Sequence, residues 1–172
     1  GALLALAVLG DDPEIQKAAT AGVKWLINLQ NTDGGIPTFC RGWGKLPFDR
    51  SSPDITAHAL RAWQRWRALD PRIDAALDRG VSYLLRSQQP DGSWIPLWFG
   101  NPWTEDQTNP VYGTTQVLRC DDLLPKDARQ RAKQFLYSIQ KPDGSFGTIE
   151  DTALAVAALN DERGRRWIKE HS

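Results

Sequence analysis

Apolar residues recur along this chain with the spacing of amphipathic helices, and no segment shows the convincing alternation of a β-strand. Four helix starts are marked by a polar side chain followed by proline, because the side chain can cap free N–H groups and proline suits the first helical position. These starts are Asp12-Pro13, Ser52-Pro53, Asp70-Pro71 and Asn109-Pro110. The pattern predicts an all-α fold with helices at about 2–9, 13–30, 53–69, 71–88, 110–120, 125–140, 150–159 and 161–170.

The predicted helices are of two kinds. Amphipathic helices that carry charge on one side are predicted at 13–30, 71–88 and 125–140. Helices that are poorer in charge on the faces that would pack, and that use small residues, are predicted at 2–9, 53–69, 110–120 and 150–159. Alternation of the two kinds predicts antiparallel helical hairpins in two concentric layers, with the amphipathic helices outside, which curve into a solenoid or close into a toroid.

One segment occurs three times, with roughly fifty to sixty residues between copies, a spacing typical of repeat architectures. Each copy has the last turns of a helix, then Gln, an Asp-Gly turn and a large apolar residue, at Gln30 to Ile36, Gln88 to Trp94 and Gln140 to Phe146. We interpret these residues as structural, since a Gln amide can satisfy backbone groups at a neighbouring helix end while the ring stacks on it. The first copy has Ile36 where an aromatic residue is expected, so its stacking is weaker. Residues 1–172 are predicted to form one partial domain with three such repeats.

Composition narrows the function mainly by exclusion. The 21 basic and 21 acidic residues balance, which argues against a nucleic-acid partner. Cys40 and Cys120 follow no spacing rule, which favours a reduced intracellular setting without disulfides. No apolar run approaches the ~18 residues of a membrane span. Two long loops, 31–51 and 89–108, are expected to be functional or packed. They hold Trp43, Pro47, Phe48, Trp94, Pro96, Trp98, Phe99 and Trp103.

Asp54 and His58 are the strongest candidates for chemistry. Their spacing of four residues puts them on one helix face, and the helix dipole favours a carboxylate near the N-terminus. The simpler alternative is a helix-start Asp paired with an ordinary His for about 0.2–0.5 kcal/mol.

The Gln-(2–3)-Asp-Gly-Ser/Gly-aromatic repeat resembles the Gln–Trp motif of class II triterpene cyclases, of which squalene–hopene cyclase is the bacterial member. Three segments agree in the same order, namely Ser52-Pro53-Asp54-Ile55-Thr56-Ala57-His58-Ala59-Leu60, Gln89-Pro90-Asp91-Gly92-Ser93-Trp94 and Asn109-Pro110-Val111-Tyr112-Gly113-Thr114. The resemblance implies a partial α/α toroid whose inner helices line a cavity for a linear isoprenoid such as squalene. It implies an isomerase that protonates the isoprenoid and folds it into rings, with no metal and no other cofactor.

The resemblance also implies roles for individual residues. Asp54 would hold His58, and His58 would hydrogen-bond the catalytic acid, so the pair is predicted to be catalytic. Aromatic side chains would guide the cyclising cation, and the predicted substrate-binding residues are Trp98, Phe99 and Tyr112. An insertion at 101–108 separates Trp98 from Tyr112 by more than the family pattern expects. Glu150-Asp151-Thr152-Ala153 resembles the end of the acid motif, but we expect it to cap its helix.

The acid itself belongs to an Asp-x-Asp-Asp-Thr-Ala motif, which this sequence does not contain. By alignment the motif would end at Gly1, and the chain, which opens without Met, is interpreted as beginning in the tail of a helix of a longer protein. We therefore expect the 172-residue chain by itself to be inactive.

Two alternatives belong to other classes. The first is a non-catalytic helical-repeat module that binds an isoprenoid or a protein partner, because one fold hosts many functions. The second is the β-subunit of a zinc prenyltransferase, for which Cys40, Asp54 and His58 are the only candidate ligands and have the wrong spacing. For the cyclase, the expected location is the cytoplasm or the inner face of a bacterial membrane, with peripheral membrane contact through the missing part and a homodimer as expected partners.

Overall fold

The structure is a computed structural model that describes residues 1–10, 12–41, 46 and 49–172. Within them lie eight α-helices, which confirms the all-α prediction. They are α1 Ala2–Leu9, α2 Pro13–Leu29, α3 Pro53–Arg65, α4 Ile73–Ser87, α5 Pro110–Leu118, α6 Lys126–Ile139, α7 Ile149–Leu159 and α8 Glu162–His171. Trp43, Pro47 and Phe48, which we expected in the first long loop, lie outside the described residues.

Helix bounds agree with the predicted ones to within two residues, except at the end of α3. The α-helix stops at Arg65 and gives way to a single 3₁₀ turn at Arg67–Leu69, where a continuous helix to 69 was predicted. Trp66 lies at this break, and its indole N–H donates to the carbonyl of Leu3 over 2.8 Å. The end of α3 thus coincides with a tertiary contact, and no capping signal in the local sequence predicts it.

Side-chain capping accounts for two of the four helix starts that the sequence marks, and α4 begins at Ile73, two residues after the predicted Pro71. The Asp12 carboxylate accepts from the N–H of Glu14, and the Asn109 side chain accepts from the N–H of Tyr112. The prediction for Ser52 is wrong, because its side chain makes no capping bond to the start of α3.

The chain divides into two compact units, Gly1–Arg86 and Ser87–Ser172. In the first unit, α1 packs against α2 and α3, and Val23, Leu60 and Trp63 form a fully buried core. Eight of the thirteen residues of α3 are buried, against four of the seventeen residues of α2. The predicted inner helix α3 is therefore better covered than the predicted outer helix α2, although the two carry three charged residues each.

A short antiparallel pair corrects the expectation that the chain has no strand. β1, Ile36–Pro37, pairs with β2, Ser51–Ser52, and Ile36 lies opposite Ser52. Two residues are too few to show an alternating pattern, so the sequence gave no signal for this pair. Its consequence is to fix the start of α3 beside the Asp33-Gly34 turn.

In the second unit, α5 packs against α6 and α7, and α7 packs against α8. Seven of the nine residues of α5 are buried. Trp94, Val117 and Leu136 are fully buried and form the core of this unit. Within the described residues of both units, no helix has the length and apolar character needed to cross a bilayer.

The first Asp-Gly turn is tied to the following charged helix by the Gln30 side chain. Its Nε2 donates to the carbonyl of Gly34 over 2.8 Å and to the carbonyl of Ala76 in α4 over 2.9 Å. Its Oε1 accepts from the Arg79 guanidinium of the same helix. The amide therefore bridges a turn to the first turn of a neighbouring helix, as we predicted for the Gln.

The other two copies make closely related bonds. Gln88 Nε2 donates to the carbonyls of Gly92 and Ala128, each over 2.9 Å, and Gln88 Oε1 accepts from Arg131 of α6. Gln140 Nε2 donates to the carbonyl of Gly144, but its second acceptor is the carboxylate of Asp161, which caps α8. Stacking of the rings on the Gln amides stays a prediction.

The turn itself requires glycine. Gly34 has φ +90°, and a Cβ on it would lie only 2.3 Å from the carbonyl oxygen of Arg79. Gly92 and Gly144 occupy the same place in their turns, with φ +93° and +97°. The backbone of the turn can therefore approach the next charged helix closely in all three copies.

The residue after each turn is held by a threonine hydroxyl. The backbone N–H of Trp94 donates to Thr114 Oγ1 over 3.0 Å, as that of Ile36 does to Thr56 Oγ1 over 2.9 Å. The same bond joins Phe146 to Thr152. All three apolar side chains are buried, so the turn delivers each of them into the core.

We predict that Trp94→Ala lowers the free energy of unfolding by about 3–5 kcal/mol, because it empties the volume of a fully buried indole. Denaturant titration followed by circular dichroism measures this. Trp103→Ala is the matched control, because Trp103 is 84% exposed and its loss should change stability little. Equal stabilities of the two variants would contradict the burial of Trp94.

We predict that Gln88→Ala costs about 1–3 kcal/mol of stability, since the carbonyls of Gly92 and Ala128 lose a donor in a partly buried place. Gln89→Ala is the control, because the Gln89 amide donates only to the nearby carbonyl of Ser87. Thermal unfolding of both variants tests the bridge, and a Gln88→Ala protein as stable as Gln89→Ala would rule it out.

Candidate functional site

A cavity of about 300 Å³ lies in the first unit between α1, α2 and α3. Its lining is almost wholly apolar and consists of Gly1, Ala2, Leu3, Gly22, Trp25, Leu26, Ile36, Ile55, His58, Ala59 and Ala62. Among these residues, His58 alone has an ionisable side chain. The cavity thus sets one imidazole against hydrocarbon walls.

Asp54 lies in the first turn of α3, directly after the proline that starts the helix. Its side chain is 5% exposed. Ser52 Oγ donates to Asp54 Oδ1 over 2.5 Å, which gives the buried carboxylate a close donor. The position near the helix N-terminus adds favourable electrostatics for the ionised form.

His58 follows Asp54 by one helical turn, as the sequence indicates. It is exposed at the cavity, whereas Asp54 is buried, so the pair runs from the protein interior to the cavity surface. This arrangement suits a carboxylate that orients an imidazole from behind. The catalytic role of the two residues stays a prediction.

Sequence reasoning missed Tyr83 of α4. Its hydroxyl donates to the carbonyl of Ser51 over 2.9 Å, next to the serine that contacts Asp54. Burial raises the pKa of Tyr83 well above its usual range, and the carboxylates of Asp33 and Asp54 raise it further. The phenol is therefore neutral at physiological pH. A signal was available, since Tyr83 takes the place of Trp25 and Phe135 in the repeat with a ring that can donate a hydrogen bond.

The predicted substrate-binding aromatics lie in the second unit. The rings of Phe99 and Tyr112 meet with centroids 4.7 Å apart and planes inclined by 32°. Phe99 is 52% exposed and Trp98 is 47% exposed, so both offer ring surface. The structure brings Phe99 and Tyr112 together across the insertion at 101–108, and their role in binding stays a prediction.

A second cavity, of about 550 Å³, lies in the same unit between residues 101–111 and residues 135–151. Its aromatic walls are Trp103, Phe135 and Phe146. The chain around Trp103 is held by local hydrogen bonds, including the Trp103 N–H to Asn101 Oδ1 and the Thr104 hydroxyl to the carbonyl of Thr108.

The segment from Glu150 to Ala153 caps its helix, as we expected. Thr148 is the N-cap of α7, and its Oγ1 accepts from the N–H of Asp151 over 3.0 Å. The same hydroxyl donates to the Asp151 carboxylate over 2.9 Å. Glu150, which stands where the acid motif would have its proton donor, is exposed.

Both cysteines are free, Cys40 at the surface and Cys120 in the interior, where its Sγ donates to the carbonyl of Val117. No group of three or more His, Cys, Asp or Glu side chains that could hold a metal ion occurs in residues 1–10, 12–41, 46 and 49–172.

Similarity to known proteins identifies the family of this chain. The family model "Squalene-hopene cyclase C-terminal domain" matches residues 2–156. The chain is 32% identical over 161 residues to drimenyl diphosphate synthase of Streptomyces showdoensis, which covers 86% of this chain and 27% of that enzyme. It is 31% identical over 160 residues to squalene–hopene cyclase of Zymomonas mobilis, with 83% and 22% coverage. With squalene–hopene cyclase of Alicyclobacillus acidocaldarius it shares 31% identity over 125 residues, with 64% and 18% coverage.

The helical fold and these matches define a terpene-cyclase-like protein of the α/α-toroid class. The chain belongs to the squalene–hopene cyclase C-terminal domain family. It spans about a quarter of the length of the curated relatives that it matches.

Proposed function

We propose that this chain is part of a terpene cyclase that protonates a linear isoprenoid such as squalene and closes it into rings without a cofactor. The observation that carries the proposal is the position of His58, which lines an apolar cavity one helical turn after the buried carboxylate of Asp54. Family membership supports the reaction class, and the relatives include both squalene–hopene cyclases and a synthase of a diphosphate.

In this mechanism the proton comes from a carboxylic acid outside the 172 residues, since the sequence lacks the Asp-x-Asp-Asp motif. Proton transfer to a terminal alkene leaves a carboxylate on the acid and a carbocation on the substrate. The Asp54 carboxylate keeps His58 cationic and oriented. The imidazolium then stabilises the carboxylate that forms, which makes the acid stronger.

The walls of the cavity matter as much as the charge. A carbocation reacts with any water or basic side chain that reaches it, and apart from His58 the described lining offers hydrocarbon side chains, an indole and backbone. Small-molecule pockets run from about 300 to 1,000 Å³, so a cavity of about 300 Å³ takes one end of a linear polyene rather than the whole molecule. Trp98, Phe99 and Tyr112 of the second unit are our separate candidates for aromatic contacts with a cation.

By itself the 172-residue chain would bind an isoprenoid without turning it over, because the proton donor is not among its residues. The alternative, a non-catalytic isoprenoid-binding module, predicts the same result for the 172-residue chain. The complete protein separates the two, since a cyclase forms rings and a binding module returns the polyene unchanged. For the complete cyclase we propose a place in the bacterial cytoplasm or on the inner face of its membrane.

We predict that His58→Ala in the complete enzyme lowers the cyclisation rate by about 100-fold or more, the usual range for losing proton-transfer assistance. Product formation from squalene, measured by gas chromatography, tests this, and circular dichroism confirms that the variant is folded. His171→Ala is the matched control, because the second histidine of the chain is exposed at the end of α8. Full turnover by a folded His58→Ala enzyme would refute the role.

We predict that Tyr112→Leu in the complete enzyme raises the fraction of incompletely cyclised product by about 2- to 30-fold, since an aromatic face stabilises a cation by roughly 0.5–2 kcal/mol. Tyr112→Phe keeps the ring and should leave the product ratio near that of the wild type. Tyr137→Leu removes an exposed ring that lines neither cavity and is the control. An unchanged product ratio in Tyr112→Leu would refute a role of Tyr112 in guiding the cation.

A further inference from the structure

Ser52 does not do what its place in the sequence predicts. It stands at the N-cap position of α3 and precedes proline, yet it makes no side-chain bond to the backbone of the helix. Its hydroxyl donates instead to Asp54 Oδ1 over 2.5 Å. A Ser at an N-cap ordinarily stabilises its helix by about 1 kcal/mol through that backbone bond. In that bond the Ser oxygen accepts, whereas here the Ser52 hydroxyl donates to a carboxylate.

The backbone around Ser52 fixes where this hydroxyl lies. Ser52 is fully buried and lies opposite Ile36 in the two-residue antiparallel pair. Its carbonyl accepts from Thr56 Oγ1 over 2.7 Å, and the same Oγ1 accepts from the N–H of Ile36. The hydroxyl is therefore tied to the cavity wall, of which Ile36 is a part.

A donor at this place has a definite effect on Asp54. Burial favours the protonated form of a carboxyl, while a hydrogen bond from a hydroxyl favours the ionised form. The bond also restricts the rotation of the carboxylate and so determines which way its second oxygen faces. Both effects reach His58, because residues four apart on a helix are neighbours.

We propose that Ser52 is a positioning residue of the site: its hydroxyl orients the Asp54 carboxylate, and through Asp54 it raises the proton affinity of the His58 imidazole. This inference rests on the proposed function for its catalytic meaning. Its physical content, the coupling of Ser52 to His58 through Asp54, can be tested in the 172-residue chain without any activity.

Other groups near Asp54 and His58 would not produce the same effect on His58 when the Ser52 hydroxyl is removed. From α4, Tyr83 feels the charge of Asp54, but its phenol is neutral at physiological pH because its pKa is raised. Asp33 of the first turn accepts from Ser51 Oγ and the N–H of Gly35. Gly1, which precedes α1, lines the same cavity as His58 and is the same in all variants. A change on removal of the Ser52 hydroxyl therefore points to Asp54.

The chain suits a direct measurement because it contains two histidines, His58 and His171. Ring ¹⁵N and ¹³C chemical shifts give the titration midpoint of each imidazole in one sample. Ser52→Ala is expected to lower the midpoint of His58 by about half a pH unit or more, a part of the effect of a neighbouring opposite charge. His171, which stacks on Trp167 in α8, should not move.

Ser51→Ala is the matched control. Ser51 is adjacent, belongs to the same antiparallel pair and also donates to a carboxylate, but that carboxylate is Asp33. A merely structural contribution of this segment would move the His58 midpoint equally in both variants. Equal shifts, or no shift in a folded Ser52→Ala chain, would overturn the proposal.

A double-mutant cycle adds a second condition. Asp54→Asn alone should lower the His58 midpoint, and adding Ser52→Ala to it should change nothing more, because Ser52 acts through Asp54. Additive shifts would refute this route. Should Ser52→Ala unfold the chain, Ser52→Cys replaces it with a similar volume and a weaker donor, and a smaller shift in the same direction is expected.

Catalysis in the complete enzyme is a separate readout. If Ser52→Ala shifts the His58 midpoint but the complete enzyme forms no rings at all, the coupling stands and the proposed function fails. If the complete enzyme is active, Ser52→Ala should move its pH–rate profile to lower pH with little change in KM, whereas Ser51→Ala should not.

Discussion

The rest of the structure depends on pairs of hydrogen bonds that a glutamine amide donates to two carbonyl or carboxylate oxygens. Each pair forms a joint between a turn and the next helix. Gln30 joins a tight turn to α4, and Gln88 joins the next turn to α6. A carbonyl that leaves water needs a donor, and one amide supplies two at once. The oxygen of each amide accepts a hydrogen bond from an arginine of the joined helix, Arg79 for Gln30 and Arg131 for Gln88. The residue type is therefore determined by a requirement for two donors and one acceptor in a confined place.

This joint carries the geometry of the site. With the first turn bound to α4, the N–H of Ile36 donates to the Thr56 hydroxyl oxygen, and Ile36 pairs with Ser52 in the short antiparallel pair. The start of α3 is thereby held beside the turn, and Asp54 is buried where the helix begins. His58 then emerges one turn later at the cavity. A structural repeat thus positions the candidate chemistry without contributing a reacting group.

Much of the fold could be predicted from the sequence because its determinants are local. Asp12 and Asn109 cap the helices that they precede, and the helix bounds follow from such signals. Ser52 could not be predicted in the same way, since a hydroxyl at an N-cap can accept from the backbone, donate to a nearby carboxylate or, like that of Thr148, do both. That choice depends on the burial of Asp54, which is a property of the packed chain. The contact of Phe99 with Tyr112 is likewise tertiary, because it crosses an insertion whose conformation no local pattern gives. Tyr83 was missed although its position in the repeat is visible in the sequence. Its hydrogen bond to the carbonyl of Ser51 is a tertiary contact, which the sequence does not show.

The third joint differs from the first two in its chemistry. Gln140 ends on the carboxylate of Asp161, and that oxygen also accepts from the N–H of Gly164 at the start of α8. The acceptor in this third joint is a side chain, whereas the acceptors at Ala76 and Ala128 belong to the backbone. A substitution at Asp161 therefore removes the bond from Gln140 together with the cap of α8, while no substitution at Ala76 or Ala128 removes their carbonyl groups. The last helix of the chain is thus the one whose attachment can be lost by a single change on the acceptor side.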